Sequence, residues 1–236
     1  MKIGIIGAMI EEVTPLVEFF KNQGYKIEEI ALGGNVFHKI TIQNDTLFIA
    51  YSKIGKVHAA ITASVMIARF ECERIIFTGV AGGLDSRLKV GDLLIATKLV
   101  QHDVDITAFG HPLGFIPEST VYIEADSALN SIAKKVAQKL NRALMEGIIA
   151  SGDQFICDEA KKQWIIQNFQ ASAVEMEGAS VAVVCNAFGI PFCILRSISD
   201  SADGSADVSF DEFLEEAAGL SAQFSIEILK ELGVKI

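Results

Sequence analysis

The sequence of 236 residues contains few cysteines and few basic side chains. Its four cysteines form no C-x-x-C pair and have no histidine at ligand spacing, which argues against a zinc site. We interpret them as buried thiols of a protein in a reducing compartment. Only 20 side chains are basic against 30 acidic ones, a formal net charge of −10. Because nucleic-acid binding needs basic clusters, we expect small molecules or other protein chains as partners.

The sequence also lacks the patterns of a signal peptide and of a membrane span. Glu11 and Glu12 interrupt the apolar N-terminal segment before it is long enough for a signal peptide. The uncharged stretch at residues 178–195 has the length of a span. However, Asn186, Gly189 and Pro191 divide it into a helix, a turn and a buried strand. We therefore expect a cytoplasmic protein that does not associate with membranes.

Half of the residues are hydrophobic, which excludes a disordered chain. Short apolar strands alternate with helical segments, and this order predicts an α/β fold. We find no linker and expect a single domain over residues 1–236. The predicted strands lie at residues 2–7, within 27–42, and at 46–51, 74–78, 93–97, 144–150, 172–174 and 192–198, with a glycine-rich loop at 79–83. The predicted helices lie at residues 11–20, 56–69, 125–140, 159–168, 178–188 and 209–232.

Acidic side chains follow several predicted strands. The turn at residues 4–8 lacks G-x-G-x-x-G spacing, so a dinucleotide site is not expected there. Glu11 and Glu12 follow this turn, where acids also simply favour a helix N-terminus. Glu175 and Glu177 face one side if the strand continues through them, but they also fit an exposed strand end. Asp200 follows another strand, at the edge where α/β sheets bind ligands, or it caps a loop.

Two further side chains are candidates for the same region. Arg196, on the strand before Asp200, is a possible partner for one of the glutamates. Phe155, in the segment at residues 151–156, could stack on a flat base or pack in the core. The four histidines are expected to have structural or solvated roles, and Trp164 is expected to pack half-buried on its helix.

These residues belong to motifs that occur in the same order in a known family. The chain resembles the 5′-methylthioadenosine/S-adenosylhomocysteine nucleosidases of the nucleoside phosphorylase-I superfamily. The motifs LGGNVFHK at 32–39 and HPLGFIPE at 111–118 resemble a branch that also cleaves 6-amino-6-deoxyfutalosine. The family motifs are GIIGAMIEEV at 4–13, SKIGKV at 52–57, TGVAGGL at 78–84, HDVDITAFG at 102–110, SGDQFI at 151–156, AVEMEG at 173–178, RSISD at 196–200 and SFDEF at 209–213.

The resemblance implies a three-layer α/β/α fold with a mixed central sheet, a homodimer, and hydrolysis of a purine N-glycosidic bond without a cofactor. It implies that Glu12 activates water and that Asp200 protonates the leaving adenine. The remaining residues implied to bind substrate are Met9, Ala81, Gly82, Glu175, Met176, Glu177 and Arg196 near the ribose and water, Phe155, Ile156 and Ser199 near the adenine, and Ile54 and Phe210 near the 5′ substituent, with Ile106, Phe109 and Pro117 supplied by the neighbouring subunit.

The implied substrates are 5′-methylthioadenosine, S-adenosylhomocysteine, 5′-deoxyadenosine and 6-amino-6-deoxyfutalosine, from methionine salvage and menaquinone synthesis. For these roles we expect Asp200 to be protonated by burial and Glu12 to be ionised by the helix N-terminus. Val80 departs from the family, which often has serine there. A phosphorylase of the same fold and a non-catalytic nucleoside-binding protein remain as alternatives.

Overall fold

The computed structural model describes residues 1–203 and 206–236, without the side chains of residues 207 and 208. Strands and helices alternate along most of this chain. The strands are β1 (Lys2–Gly7), β2 (Ile27–Leu32), β3 (Asn35–Ile42), β4 (Asp45–Tyr51), β5 (Arg74–Gly83), β6 (Leu93–Gln101), β7 (Ile123–Glu124), β8 (Leu144–Ser151), β9 (Ala173–Glu175) and β10 (Phe192–Asp200). The α-helices are α1 (Ile10–Asn22), α2 (Lys56–Ala68), α3 (Ser127–Lys139), α4 (Glu159–Phe169), α5 (Gly178–Phe188) and α6 (Ala206–Glu231).

The strands of the described chain form one mixed sheet. β1 lies between β4 and β5 and is parallel to both, and β10 is parallel to β5. β10 also pairs antiparallel with β6, and β9 joins β8 to the end of β5. Because β1, β5 and β10 are parallel, their carboxyl ends lie at one edge of the sheet, where open α/β sheets bind ligands.

Helices cover both faces of this sheet. Alternate side chains of β1 enter different cores: Ile3 and Ile5 pack with α1, α3 and α6, whereas Ile6 packs with α2 and α5. Burial on both faces explains why the central strands have nearly continuous apolar sequences. The predicted three-layer α/β/α architecture is confirmed. Among the residues described, no helix is long and apolar enough to cross a membrane.

The structure corrects several predicted boundaries near the edge of the sheet. Residues 79–83, predicted as a loop, continue β5, because they pair with β10 and β9. β10 likewise runs to Asp200, with an irregular register after Ile198. Helix α6 begins at Ala206, before its predicted start at residue 209. Among the cysteines, Cys157 is exposed rather than buried. Helix α4 begins at residue 159 as predicted and is capped by Asp158, whose carboxylate accepts from the Lys161 N–H at 2.8 Å.

Candidate active site

A cavity of about 340 Å³ lies at the edge of the sheet where β1, β5 and β10 have their carboxyl ends. The predicted site residues that line it are Met9, Glu12, Ile54, Ala81, Gly82, Phe155, Ile156, Glu175, Met176, Glu177, Ser199, Asp200 and Phe210. Ala8, Val80, Gln154 and Val174 are the other described residues of the wall and were not predicted as site residues. Each is a chain neighbour of a predicted residue, so proximity in the motifs was the available signal. Ile106, Phe109 and Pro117 are not among the described residues of this wall.

Glu12 is held in the cavity by three backbone N–H groups. Its Oε2 accepts from Ala8 at 2.5 Å and from Met9 at 3.1 Å, and its Oε1 accepts from Val80 at 2.8 Å. Only 3% of its surface is exposed. Burial raises the pKa of Glu12, and the Arg196 charge and the three N–H donors lower it less. Desolvation therefore acts against the ionised form that we expect for Glu12, and it outweighs the helix N-terminus.

Glu175 forms a buried ion pair with Arg196. Arg196 is 1% exposed, stacks on the Phe77 ring at 4.1 Å and donates from Nη2 to Glu175 Oε2 at 2.5 Å. The Gly178 N–H donates to the same carboxylate at 2.7 Å, and the Ser151 hydroxyl also donates to it. Arg196 thus lies behind Glu175 and is not among the lining residues. A carboxylate with this many donors is fixed in position.

Glu177 enters the cavity from the beginning of α5. β9 ends at Glu175, so the strand alternation that we used to group the two glutamates does not extend to Glu177. Its Oε1 accepts from the Gly55 N–H at 2.8 Å. Burial and the neighbouring Glu175 charge raise the pKa of Glu177 to about 8. Both glutamates still line one cavity, because the chain turns into the helix between them.

Asp200 lies at the end of β10, on the same cavity. Its Oδ1 accepts from the Ala202 N–H at 2.8 Å, and its Oδ2 accepts from the Ser199 hydroxyl at 2.9 Å. Burial raises the pKa of Asp200, although these two donors lower it in part. The direction is the one expected for a proton donor. Three buried carboxyl groups that line the cavity, those of Glu12, Glu177 and Asp200, therefore have raised pKa values.

Apolar side chains form the rest of the site. Phe155 is 45% exposed and meets the Phe210 ring edge to face at 5.6 Å. Val80 packs with Phe210, Leu214, Ala217 and Ala218 in the first half of α6. Its side chain therefore joins α6 to the cavity wall, while its N–H binds Glu12.

None of the four histidines is among the described residues of the cavity wall. His102 is buried, and burial lowers its pKa to about 4. In the described chain, no three His, Cys, Asp or Glu side chains are grouped so that they could hold a metal ion.

Known proteins share this sequence and fold over nearly the whole chain. Residues 2–232 match the phosphorylase superfamily. The chain is 57% identical to an aminodeoxyfutalosine nucleosidase of Helicobacter pylori, covering 98% of this chain and 99% of that protein. It is 41% identical to a 5′-methylthioadenosine/S-adenosylhomocysteine nucleosidase of Actinobacillus succinogenes, covering 98% and 100%.

A solved structure of the Helicobacter pylori 5′-methylthioadenosine/S-adenosylhomocysteine nucleosidase, complexed with an aminopyrrolopyrimidine joined to a pyrrolidinol, is similar to this one. The TM-score is 0.95 at 56% identity, with 98% of both chains covered. With this agreement in sequence, fold and length, the chain belongs to the phosphorylase superfamily and, within it, to the aminodeoxyfutalosine and 5′-methylthioadenosine/S-adenosylhomocysteine nucleosidases.

Proposed function

We propose that this protein hydrolyses the N-glycosidic bond of adenine nucleosides that carry a 5′ substituent. The observation that carries the proposal is the position of Glu12 and Asp200 on one cavity, each with a pKa raised by burial. Glycoside hydrolysis uses such a pair of carboxyl groups, one as an acid and one for water. The names of the similar proteins support 6-amino-6-deoxyfutalosine, 5′-methylthioadenosine and S-adenosylhomocysteine as substrates.

In the proposed reaction the bond between ribose C1′ and the adenine nitrogen breaks, and its electron pair leaves with adenine. Asp200 donates a proton to the leaving adenine. A water molecule forms the new bond to C1′ and gives its proton to Glu12. Because the transition state resembles an oxocarbenium ion, the ionised carboxylate of Glu12 also stabilises the positive charge that develops on the ribose.

The other cavity residues take roles that match their surroundings. Glu177 accepts hydrogen bonds from the ribose hydroxyls and Met176 packs on the ribose, near Met9, Ala81 and Gly82. The fixed Glu175 and Arg196 pair orients the water or a hydroxyl. The adenine lies against Phe155, Ile156 and Ser199. Ile54 and Phe210 hold the 5′ substituent, together with Ile106, Phe109 and Pro117 of the neighbouring subunit in a homodimer.

The charges of the cavity favour hydrolysis over phosphorolysis. No lysine or arginine is among the described lining residues, whereas Glu12, Glu175, Glu177 and Asp200 all are. A phosphate ion needs basic side chains and would be repelled by the ionised Glu12 that the reaction requires. We also propose 5′-deoxyadenosine as a substrate, and methionine salvage and menaquinone synthesis as the pathways served.

The test measures adenine release from 5′-methylthioadenosine by the purified protein, with and without phosphate. We expect free methylthioribose at a rate that phosphate does not change, followed by the same result with 6-amino-6-deoxyfutalosine. Release of a sugar 1-phosphate only when phosphate is present would identify a phosphorylase. Binding of the nucleoside without any release of adenine would identify a binding protein.

A further inference from the structure

Outside the cavity, a lysine and an aspartate join three segments of the chain. Lys56 is the first residue of α2, and its Nζ donates to Asp103 Oδ1 at 2.6 Å and to Gln101 Oε1 at 3.1 Å. The two charged side chains are only 15% and 18% exposed. An ion pair that is largely removed from water is screened less than a surface pair. This pair has no part in the chemistry proposed above.

The same two residues also bind a third segment, at the end of β8. Asp103 Oδ2 accepts from the Asp153 N–H at 2.9 Å. Asp153 Oδ1 in turn accepts from the Lys56 N–H at 2.8 Å. Lys56, Asp103 and Asp153 thus form a closed ring of hydrogen bonds, which we call the polar ring. Burial alone would raise the pKa of Asp103, but the Lys56 and Asp153 bonds outweigh it and lower the pKa.

Two of the three segments that the polar ring joins continue directly into the cavity wall. Gly55, next to Lys56, donates its N–H to Glu177, and Ile54 lines the cavity. Gly55 has a φ of +99°, and a Cβ there would lie 3.1 Å from Asp153 Oδ1. On the other segment, Phe155 and Ile156 follow Asp153 in the wall. One ring therefore sets the position of the Gly55 N–H and of the wall around Phe155.

We infer that Lys56 and Asp103 are positioning residues, which hold the ribose-binding carboxylate of Glu177 and the adenine-binding segment at residues 154–156 in one arrangement. The inference rests on the proposed function for the identity of these two subsites. Lys56 and Asp103 act through Gly55 and Asp153 and touch neither Glu12 nor Asp200. Their loss therefore weakens binding of the nucleoside in its ground state and its transition state alike, which raises KM and leaves kcat nearly unchanged.

The test compares Lys56→Met, Asp103→Asn, the double variant and Lys56→Arg in adenine release from 5′-methylthioadenosine. We expect each of the first two to raise KM about tenfold, since small displacements of positioned groups have large effects. We expect kcat within about threefold of wild type. The double variant matches either single variant, because both break one ring. Lys56→Arg keeps the positive charge, and we expect it to retain the wild-type KM. Lys39→Met, which breaks the surface pair of Lys39 with Glu28 at 3.1 Å, is the control and leaves KM unchanged.

The inference is overturned if KM is unchanged in both single variants. It is also overturned if the increases in KM multiply in the double variant, or if only kcat falls. Circular dichroism checks the fold, and the nearly isosteric Asp103→Asn keeps the test valid if Lys56→Met does not fold. Calorimetric titration with adenine measures the dissociation constant of the base at its subsite without turnover. If the wild-type protein binds adenine but cleaves no nucleoside, the proposed function fails. The adenine dissociation constants of the variants still decide the inference, with a rise expected and no change contradicting it.

Discussion

Glu11 and Glu12 have identical side chains and opposite surroundings, since Glu11 is exposed and Glu12 is buried against Val80. Replacing Glu12 by Gln removes the group proposed to accept the proton of water. We expect kcat for adenine release to fall by about 10²–10⁴-fold, the usual contribution of a general base. Glu11→Gln is the matched control and should retain wild-type kcat. Equal rates in the two variants, both folded by circular dichroism, would contradict the role of Glu12.

Glu177 illustrates the conflict between binding and stability at a single residue. Its pKa is about 8 in the folded chain and near its ordinary value of 4.5 in the unfolded chain. Between these two pH values the folded state therefore holds one more proton than the unfolded state. This proton stabilises the folded state fully below pH 4.5, and the stabilisation is lost as pH rises to about 8. A Gln at this position has no charge to bury.

We therefore expect Glu177→Gln to raise the free energy of unfolding above pH 8 by about 0.5–2 kcal/mol relative to wild type, with little difference at pH 4.5. Urea unfolding at the two pH values measures this change. Glu11→Gln again serves as the control and should show no pH-dependent difference. If Glu177→Gln changes the free energy of unfolding by the same amount at both pH values, burial of the Glu177 charge does not destabilise the folded protein.

At the scale of elements, the site depends on how closely β5 passes the beginning of α1. A Cβ on Gly79 would lie 2.7 Å from Glu12 Cδ, so only glycine fits without moving the carboxylate. We expect Gly79→Ala to lower kcat/KM by about 10–100-fold through displacement of Glu12. In α6, a Cβ on Gly219 would meet no atom within 4 Å. Gly219→Ala is therefore the control, with unchanged kcat/KM and a stabilised helix. Wild-type kcat/KM in Gly79→Ala would contradict this close contact.

At the scale of the whole molecule, the proposed homodimer predicts that subunits share their sites. Phe109 is 81% exposed and is not part of the wall of its own cavity. Asp200→Asn removes the proposed acid, and Phe109→Ala removes an apolar contact proposed to serve the neighbouring site. In a mixed dimer of the two variants, one site has both changes and the other has neither. After equal mixing and exchange of subunits, we expect about a quarter of wild-type activity per subunit, because half of the dimers are mixed and each has one intact site.

The assay uses a 5′-methylthioadenosine concentration below KM, where each variant alone has little activity. Sedimentation of the wild-type chain tests the dimer directly. Mixing Asp200→Asn with itself after the same treatment is the control and should recover nothing. If the mixture of the two variants has only the averaged activity of its components while sedimentation shows dimers, the subunits do not share sites.

Patterns of neighbouring residues predicted most of the elements well, because helix caps and apolar periodicity act over a few residues. Helix α4 begins at Glu159 as predicted, and the uncharged stretch divides into α5 and β10 around Gly189 and Pro191. The ends of β5 and β10 were missed. Residues 79–83 are rich in glycine and are typical of a loop, but pairing with distant strands holds them extended. Such pairing depends on partners 90 or more residues away, which no local pattern contains.

The sequence alone determined the α/β class, the family resemblance and which acidic side chains gather at the cavity, because these depend on residue types in a fixed order. Only the tertiary structure decided the protonation tendencies and the supports of those side chains. Glu12 lies at a helix N-terminus, which favours its charged form, yet packing against β5 removes it from water and raises its pKa. The polar ring of Lys56, Asp103 and Asp153 likewise exists only because three distant segments meet. Burial and long-range contact are properties of the folded chain as a whole, and they set the electrostatics of the site.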